Sequence, residues 1–223
     1  MKISEKNPRL SIFDTFKTKS DELTGEASRQ RSIIAHLATA TNSAARTRTG
    51  ISQRIAEEHG IVWKNIYSGI FRDLDEILIP LGLVHEAGRL PLKRGPKALQ
   101  EKGVPFYELS LEGMLIALSL KEIIGREEIL KHFFANAKIE EKEFQDTLEK
   151  LAMVAPRFTY SLFEKYSKAF CDGRLEKLLP FSIDKLKKIS DESILIQREF
   201  LDAFSSLSKT EKEKTIKFLE NIS

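Results

Sequence analysis

Helical periodicity runs through almost the whole chain and is interrupted once, by two strand-like segments, and this order constrains the fold more than any other feature. Apolar residues recur at helical spacing in three successive segments between residues 28 and 79. Residues 83–87 and 106–109 are then typical of two strands that form a hairpin, and a fourth helix follows by about Ile124. The sequence therefore predicts the order helix, helix, helix, hairpin, helix within residues 28–124.

Capping and helix-breaking residues indicate where these helices begin and end. Thr49 is a candidate N-cap for the second helix, and Gly60 closes that helix in the left-handed conformation that glycine adopts at least cost. The third helix is predicted to run from about Val62 to Ile79, because Pro80 cannot continue it. Gly60 therefore directs the chain into a sharp turn between the second and third helices.

The sequence changes character after Gly125, where strand-like segments are absent. Helices are expected at about residues 126–136, 139–155, 157–171, 174–188, 191–207 and 209–221. Ser208 and Glu211 form a capping-box signature for the last of these helices. The prediction is a mainly α chain with one small β-hairpin and an all-α C-terminal part.

Three regions follow from this organisation: an N-terminal arm (1–27), a domain with the hairpin (28–124), and a helical C-terminal domain (125–223). The arm has one apolar cluster, formed by Ile12, Phe13 and Phe16, and is expected to carry a short helix and to dock on the body. An apolar stripe around Phe200 leaves two interpretations open for the C-terminal domain. The stripe packs within the chain, or it is buried against a second copy in a homodimer.

Composition limits the chemistry that the chain is expected to carry out. The single cysteine, Cys171, excludes an intramolecular disulfide and a cysteine-based zinc site, and the four histidines lie in separate predicted elements. The sequence has no nucleophile-elbow pattern, and the stretch from Gly88 to Lys97 lacks the spacing of a phosphate-binding loop. We therefore expect no enzyme activity, no cofactor and no metal. The absence of a signal peptide and of long apolar runs favours a cytoplasmic location.

Positive charge is concentrated in one region. Residues 28–104 carry twelve Lys and Arg against seven Asp and Glu, which is a net charge of +5, whereas the whole chain has a net charge of +3. Such asymmetry is typical of a domain that docks an anionic partner.

Two sequence motifs resemble those of a known superfamily. The run from Gly50 to Ile61, followed by a helix that ends in Pro80-Leu81-Gly82-Leu83-Val84, is similar to the helix-turn-helix of prokaryotic, archaeal-type winged-helix DNA-binding proteins. The run from Tyr107 to Gly113 resembles the last wing strand and the following helix start in that superfamily. The resemblance implies a winged helix-turn-helix over residues 28–124 that binds double-stranded DNA.

The polar face of the third helix supplies candidate base-reading residues. Lys64, Asn65, Ser68 and Arg72 can bond base edges, and Tyr67 can lie against sugars or phosphates. The alternative is that this face is an ordinary solvated side of an amphipathic helix.

Two further groups are candidates for phosphate contacts. Arg46, Arg48 and Thr49 stand at the start of the second helix, whose N-terminal amides and dipole favour an anion. The loop at residues 88–103 carries five cations against one carboxylate, and a wing would place Arg89, Lys93, Arg94 and Lys97 over the DNA backbone. The alternative for this loop is one helical turn between Pro96 and Gly103 with solvated cations.

These features predict that the protein binds DNA and regulates transcription. The main rival is a winged helix that binds a protein and not DNA, because fold alone does not decide function. A third class is an RNA-binding accessory factor.

Overall fold

The protein is mainly helical and has a two-stranded sheet. The computed structural model describes residues 8–19, 22–60, 62–92, 97–137, 139 and 141–222. The helices are α1 (Gly25–Thr39), α2 (Arg48–His59), α3 (Trp63–Arg72), α4 (Lys97–Lys102), α5 (Leu111–Leu118), α6 (Arg126–Asn136), α7 (Lys142–Val154), α8 (Pro156–Cys171), α9 (Ile183–Ile189), α10 (Glu192–Ser206) and α11 (Lys209–Ile222). The strands are β1 (Val84–Leu90) and β2 (Val104–Leu109). The predicted mainly α fold with a small hairpin is therefore confirmed. None of the helices in these residues is both long and apolar enough to cross a membrane.

Threonine side chains cap the first two helices. The Thr24 hydroxyl accepts a hydrogen bond from the Ala27 amide at the start of α1 (3.1 Å). The Thr47 hydroxyl does the same for the Gly50 amide (3.1 Å), so α2 begins at Arg48. The prediction that Thr49 caps α2 is wrong. A side chain on Gly50 would lie 2.5 Å from the Ala44 carbonyl oxygen, so this tight approach of the backbone helps to fix the start of α2.

The third helix changes its winding part of the way along. α3 continues directly into a π-helical segment, Asp73–Leu78, in which the last hydrogen bond runs from the Ile79 amide to the Leu74 carbonyl. Ile70, Leu74 and Leu78 are fully buried along the inner face. The predicted extent of this helix is confirmed, and its π-helical end is an addition that the periodicity did not indicate.

The hairpin pairs Val84 with Leu109 at its base and Leu90 with Val104 near its tip. Both strands are longer than predicted, so Arg89 belongs to β1 and not to the connecting loop. A bulge lies between Glu86 and Gly88. A side chain on Gly88 would lie 2.8 Å from the Phe106 ring, so glycine lets that ring cover the strand.

α5 joins the hairpin to the helices that follow. Every residue from Leu115 to Leu120 is buried, and α5 packs against α1, α6 and α8. The chain consequently divides into compact units at Met1–Ile183 and Asp184–Ser223, and not after Gly125 as the change in composition predicts. A helix that is apolar on all sides needs neighbours on all sides, and α6 and α8 supply them.

Aromatic rings form the centre of the helices after α5. Phe181 contacts Phe133, Phe144, Phe163 and Tyr166, with ring centroids 5.0–6.2 Å apart. Residues 172–182 form a loop, so the prediction of a helix at 174–188 is correct only from Ile183 onwards.

The spacing of three apolar residues explains that error. Leu175, Leu178 and Phe181 are buried from within the loop, and their separation by three residues imitates helical periodicity. The Tyr166 hydroxyl donates to the Leu178 carbonyl (2.6 Å), which ties the loop to α8.

The N-terminal segment is bound to the body, as predicted. Leu10 and Ile12 are buried, and the Ser11 amide donates to the Gln30 side chain (2.9 Å). The Arg31 guanidinium donates to the Ile12 carbonyl (3.3 Å). The described part of the arm turns back on itself, with an isolated bridge between Thr15 and Leu23, and it has no helix before α1, so the short helix predicted for the arm is wrong in these residues.

The unit Asp184–Ser223 contains α9 from Asp184 onwards together with α10 and α11. Asp191 caps α10. The Glu211 carboxylate accepts from the Ser208 amide (2.9 Å) and from the Ser208 hydroxyl (2.6 Å), so the predicted capping box is confirmed. Neither α10 nor α11 contains a buried residue.

Candidate nucleic-acid interface

A glycine turn joins α2 to α3. Gly60 has a φ of 63°, in the left-handed region, and its amide donates to the Glu57 carbonyl (3.3 Å), as predicted for the end of α2. Ile51, Ile55 and Ala56 are buried on the inner face of α2, which packs against α3. The turn and this packing fix α3 relative to α2.

The outer face of α3 is polar and accessible. Ser68 and Arg72 are exposed, and Arg72 makes no ion pair with any residue that the structure describes. Tyr67 is half-buried and its ring contacts that of Phe71 (5.3 Å). Tyr67, Ser68 and Arg72 share one shallow depression with Phe71, Asp75 and Glu76. The side chains of Lys64 and Asn65 lie outside the described part of α3.

An arginine crosses behind α3 to reach its π-helical end. The Arg29 guanidinium forms an ion pair with the Asp73 carboxylate, with a second contact of 3.2 Å between Nη2 and Oδ1. A side chain on Gly69 would lie 2.9 Å from Arg29 Nε, so glycine leaves room for the guanidinium. Burial raises the pKa of the Asp73 carboxyl, and Arg29 opposes that rise.

Arg48 ties α2 to α3 and to the hairpin. Its guanidinium forms an ion pair with Asp75 and lies 4.0 Å from the Phe71 ring centroid and 5.2 Å from that of Tyr107. Burial raises the pKa of the Tyr107 hydroxyl. The Arg48 guanidinium therefore contacts both α3 and β2. Its position at the start of a helix did not indicate this role.

Arg46 holds the hairpin from the other side. Its guanidinium donates to the Ala40 carbonyl through Nε (2.9 Å) and Nη2 (2.6 Å) and forms an ion pair with Glu108. Its own carbonyl accepts from the Tyr107 amide (3.0 Å). The segment before α2 is thus hydrogen-bonded to β2. Thr49 is exposed in the first turn of α2.

The tip of the hairpin combines a short helix with exposed cations. α4 occupies Lys97–Lys102, which agrees with the alternative of one helical turn in the loop, and Lys97 and Lys102 are exposed. The Arg89 guanidinium is paired with Glu86 on the same strand (2.6 Å). Lys93 and Arg94 lie outside the described residues.

The structure thus separates the predicted site residues into groups. Tyr67, Ser68 and Arg72 share one surface, whereas Arg46 and Arg48 are largely covered and engaged in contacts within the protein. Sequence reasoning missed Arg29, whose partner is 44 residues away. The acidic run at the end of the third helix could have indicated the role of Arg29, because neighbouring carboxylates need nearby cations.

A metal site and a reactive thiol each place requirements on the described residues. Among the described residues, no group of three or more His, Cys, Asp or Glu side chains is placed to hold a metal ion. Burial raises the pKa of the Cys171 thiol to about 12, which leaves it protonated at neutral pH. No family model, curated protein or solved structure matches this chain.

Proposed function

We propose that this protein binds double-stranded DNA and regulates transcription, with α2 and α3 as a helix-turn-helix and the β1–β2 hairpin as a wing. One observation carries the proposal. The exposed polar face of α3 is followed by two carboxylates, Asp73 and Asp75, that are each ion-paired to an arginine. Pairing of these two carboxylates reduces the repulsion that the acidic end of the helix would otherwise exert on phosphates.

α3 has the properties of a base-reading helix. Ile70 and Leu74 anchor its inner face in the core, so the outward side chains project from a fixed backbone. The Ser68 hydroxyl and the Arg72 guanidinium both have donors that suit base edges in the major groove. Lys64 and Asn65 occupy the first turn, where recognition helices make many of their base contacts. Of the acidic residues at the end of this helix, Glu76 is left without an arginine partner among the described residues.

The hairpin tip has the charge that phosphate contacts require. Residues 88–103 carry five cations against one carboxylate, a net charge of +4. Lys97 is exposed, and Lys93 and Arg94 stand between the two strands in the sequence. Thr49 adds a hydroxyl at the N-terminal end of α2, where free amides favour an anion. We propose these four residues as phosphate contacts.

Arginines that are bound within the protein take a different role. Arg46 and Arg48 hold the hairpin against α2 and α3, so we propose them as positioning residues and not as DNA contacts. Arg89 reaches DNA only if its exposed pair with Glu86 opens, which costs little because exposed ion pairs contribute about 0–1 kcal/mol.

The face of α3 and the hairpin tip should contribute differently to DNA binding, and the experiment measures the two contributions separately. A preferred duplex is first selected from a randomised pool with the full-length protein, and affinities are then measured for this duplex and a scrambled one across a salt series. Lys64→Ala with Asn65→Ala and Ser68→Ala should cost about 1–3 kcal/mol per bidentate base contact, on the preferred duplex only. Lys93→Ala with Arg94→Ala and Lys97→Ala should weaken binding to both duplexes. These substitutions should also flatten the slope of log affinity against log salt by about 0.9 for each phosphate that the protein no longer neutralises.

A matched control separates this effect from the loss of charge in general. Lys142, Lys150 and Lys168 are exposed on α7 and α8, and their replacement by Ala removes the same three charges away from the hairpin. This variant should keep the wild-type salt slope. An equal reduction of affinity in the control and wing variants would contradict the wing assignment. Absence of duplex binding by the wild type would leave the protein-binding winged helix as the better function.

A further inference from the structure

Exposed apolar side chains are concentrated in the last two helices. Of the thirteen large hydrophobic residues that are exposed in the described part of the chain, eight lie in α10 and α11. They are Leu195, Ile196, Phe200, Leu201, Ile216, Phe218, Leu219 and Ile222. Single exposed apolar residues are normal in proteins, but a set of this size within 31 residues marks a contact surface.

These side chains form a stripe on each helix. On α10, Ile196, Phe200 and Phe204 follow one another at intervals of four residues, while Arg198 and Asp202 lie on the opposite side. On α11, the apolar residues Ile216, Leu219 and Ile222 follow at intervals of three. Both helices are therefore amphipathic, and we name the eight exposed apolar residues of the two helices together the α10–α11 surface.

The two helices do not bury this surface against each other. They make few mutual contacts; the Lys212 ammonium donates to the Ser205 carbonyl (3.0 Å) and lies 5.9 Å from the Phe204 ring centroid. Helices of 15 and 14 residues have marginal stability in water unless tertiary packing covers an apolar face. The α10–α11 surface therefore requires a partner.

The size and the charges of the surface fit a second copy of this chain. Each of its eight apolar side chains is 38–66% exposed, and a stable interface of standard size buries roughly 800 Å² on each partner. α10 has one cation and three carboxylates, whereas α11 has four cations and three carboxylates. Opposite net charges favour packing of α10 against α11 of another copy, and a lipid surface is disfavoured because the two helices together are not basic.

We propose that two copies of this chain form a homodimer in which the α10–α11 surfaces pack together as a four-helix assembly. The symmetry is self-complementary, since each copy offers one acidic and one basic helix to the other. This inference does not rest on DNA binding, and its test contains no DNA.

Light scattering of the full-length protein after gel filtration tests the proposal. At about 50 µM we expect a mass twice the 25.4 kDa of one chain. Leu201→Glu with Phe218→Glu should weaken the dimer by more than about 100-fold, because charges replace apolar contacts on both copies. Circular dichroism should show that the helices of the first unit remain folded, since neither residue belongs to a buried core.

Met153→Glu with Val154→Glu is the matched control. These residues of α7 are 72% and 78% exposed, so the control adds the same charges to apolar positions outside the α10–α11 surface. It should remain dimeric. A wild-type mass of one chain overturns the proposal, as does a dimer that survives the Leu201 and Phe218 substitutions or dissociates in the control.

Discussion

Removal of the Arg29 side chain should destabilise the first unit more than removal of any exposed arginine. The Asp73 side chain is only 1% exposed and that of Arg29 is 20% exposed, so Arg29→Ala leaves a buried carboxylate without its cation. Breaking a buried ion pair in this way costs about 3–5 kcal/mol. Since small domains have unfolding free energies of about 5–15 kcal/mol, this is a large share of the total.

The destabilisation should depend on pH with a definite sign. Burial already raises the pKa of Asp73, and without Arg29 it should rise further. An acid whose pKa is higher in the folded than in the unfolded state holds its proton more tightly when folded. The stability of the variant therefore falls, relative to wild type, as pH rises from the unfolded pKa of about 3.9 towards the raised folded value. The difference in unfolding free energy should be smallest near pH 4 and largest at pH 7.

Urea unfolding of both proteins at a series of pH values measures this difference. Arg54→Ala is the matched control, because Arg54 pairs with Glu58 at 3.0 Å with both side chains about half exposed. It should cost about 0–1 kcal/mol at every pH. The reasoning would be refuted if Arg29→Ala cost no more than Arg54→Ala at pH 7, or if its cost stayed constant with pH.

Two further predictions concern other contacts of the first unit. Arg46→Ala should lower the unfolding free energy by about 1.5–3 kcal/mol, because the Ala40 carbonyl loses both hydrogen bonds from the Arg46 guanidinium. In the same urea assay, Arg46→Lys should recover only part of the lost stability. Cys171 should resist thiol-reactive reagents at pH 8 in the folded protein, because burial covers the thiol and raises its pKa to about 12. In denaturant the thiol should react at once. Rapid labelling of the folded chain would contradict its buried position.

Local signals in the sequence predicted the helices and turns more accurately than they predicted the contacts between these elements. The glycine turn at Gly60 and the capping box at Ser208 each depend on residues within a few positions of one another, and the structure confirms both. Thr49 was predicted as the cap of α2, but the Thr47 hydroxyl accepts from the Gly50 amide, and the local sequence does not distinguish the two threonines.

Long-range pairing limited the prediction of the site. Arg46 and Arg48 looked like free cations at a helix start, but their partners Glu108 and Asp75 lie 62 and 27 residues further along the chain. The compact unit also extends past Gly125, because α5 is apolar on all sides and needs α6 and α8 around it. That apolar run was visible in the sequence and was the signal that residues 126–183 complete the same core.

The most direct test of the proposed function is the affinity of wild-type protein for duplex DNA as a function of salt. Three phosphate contacts from Lys93, Arg94 and Lys97 predict that log affinity falls linearly with log salt with a slope of about −2.7 or steeper. A structured RNA of equal charge should compete weakly at about 100 mM salt, because α3 is proposed to read the major groove of B-form DNA. Absence of any salt-dependent affinity for duplex DNA under these conditions would contradict the proposed function.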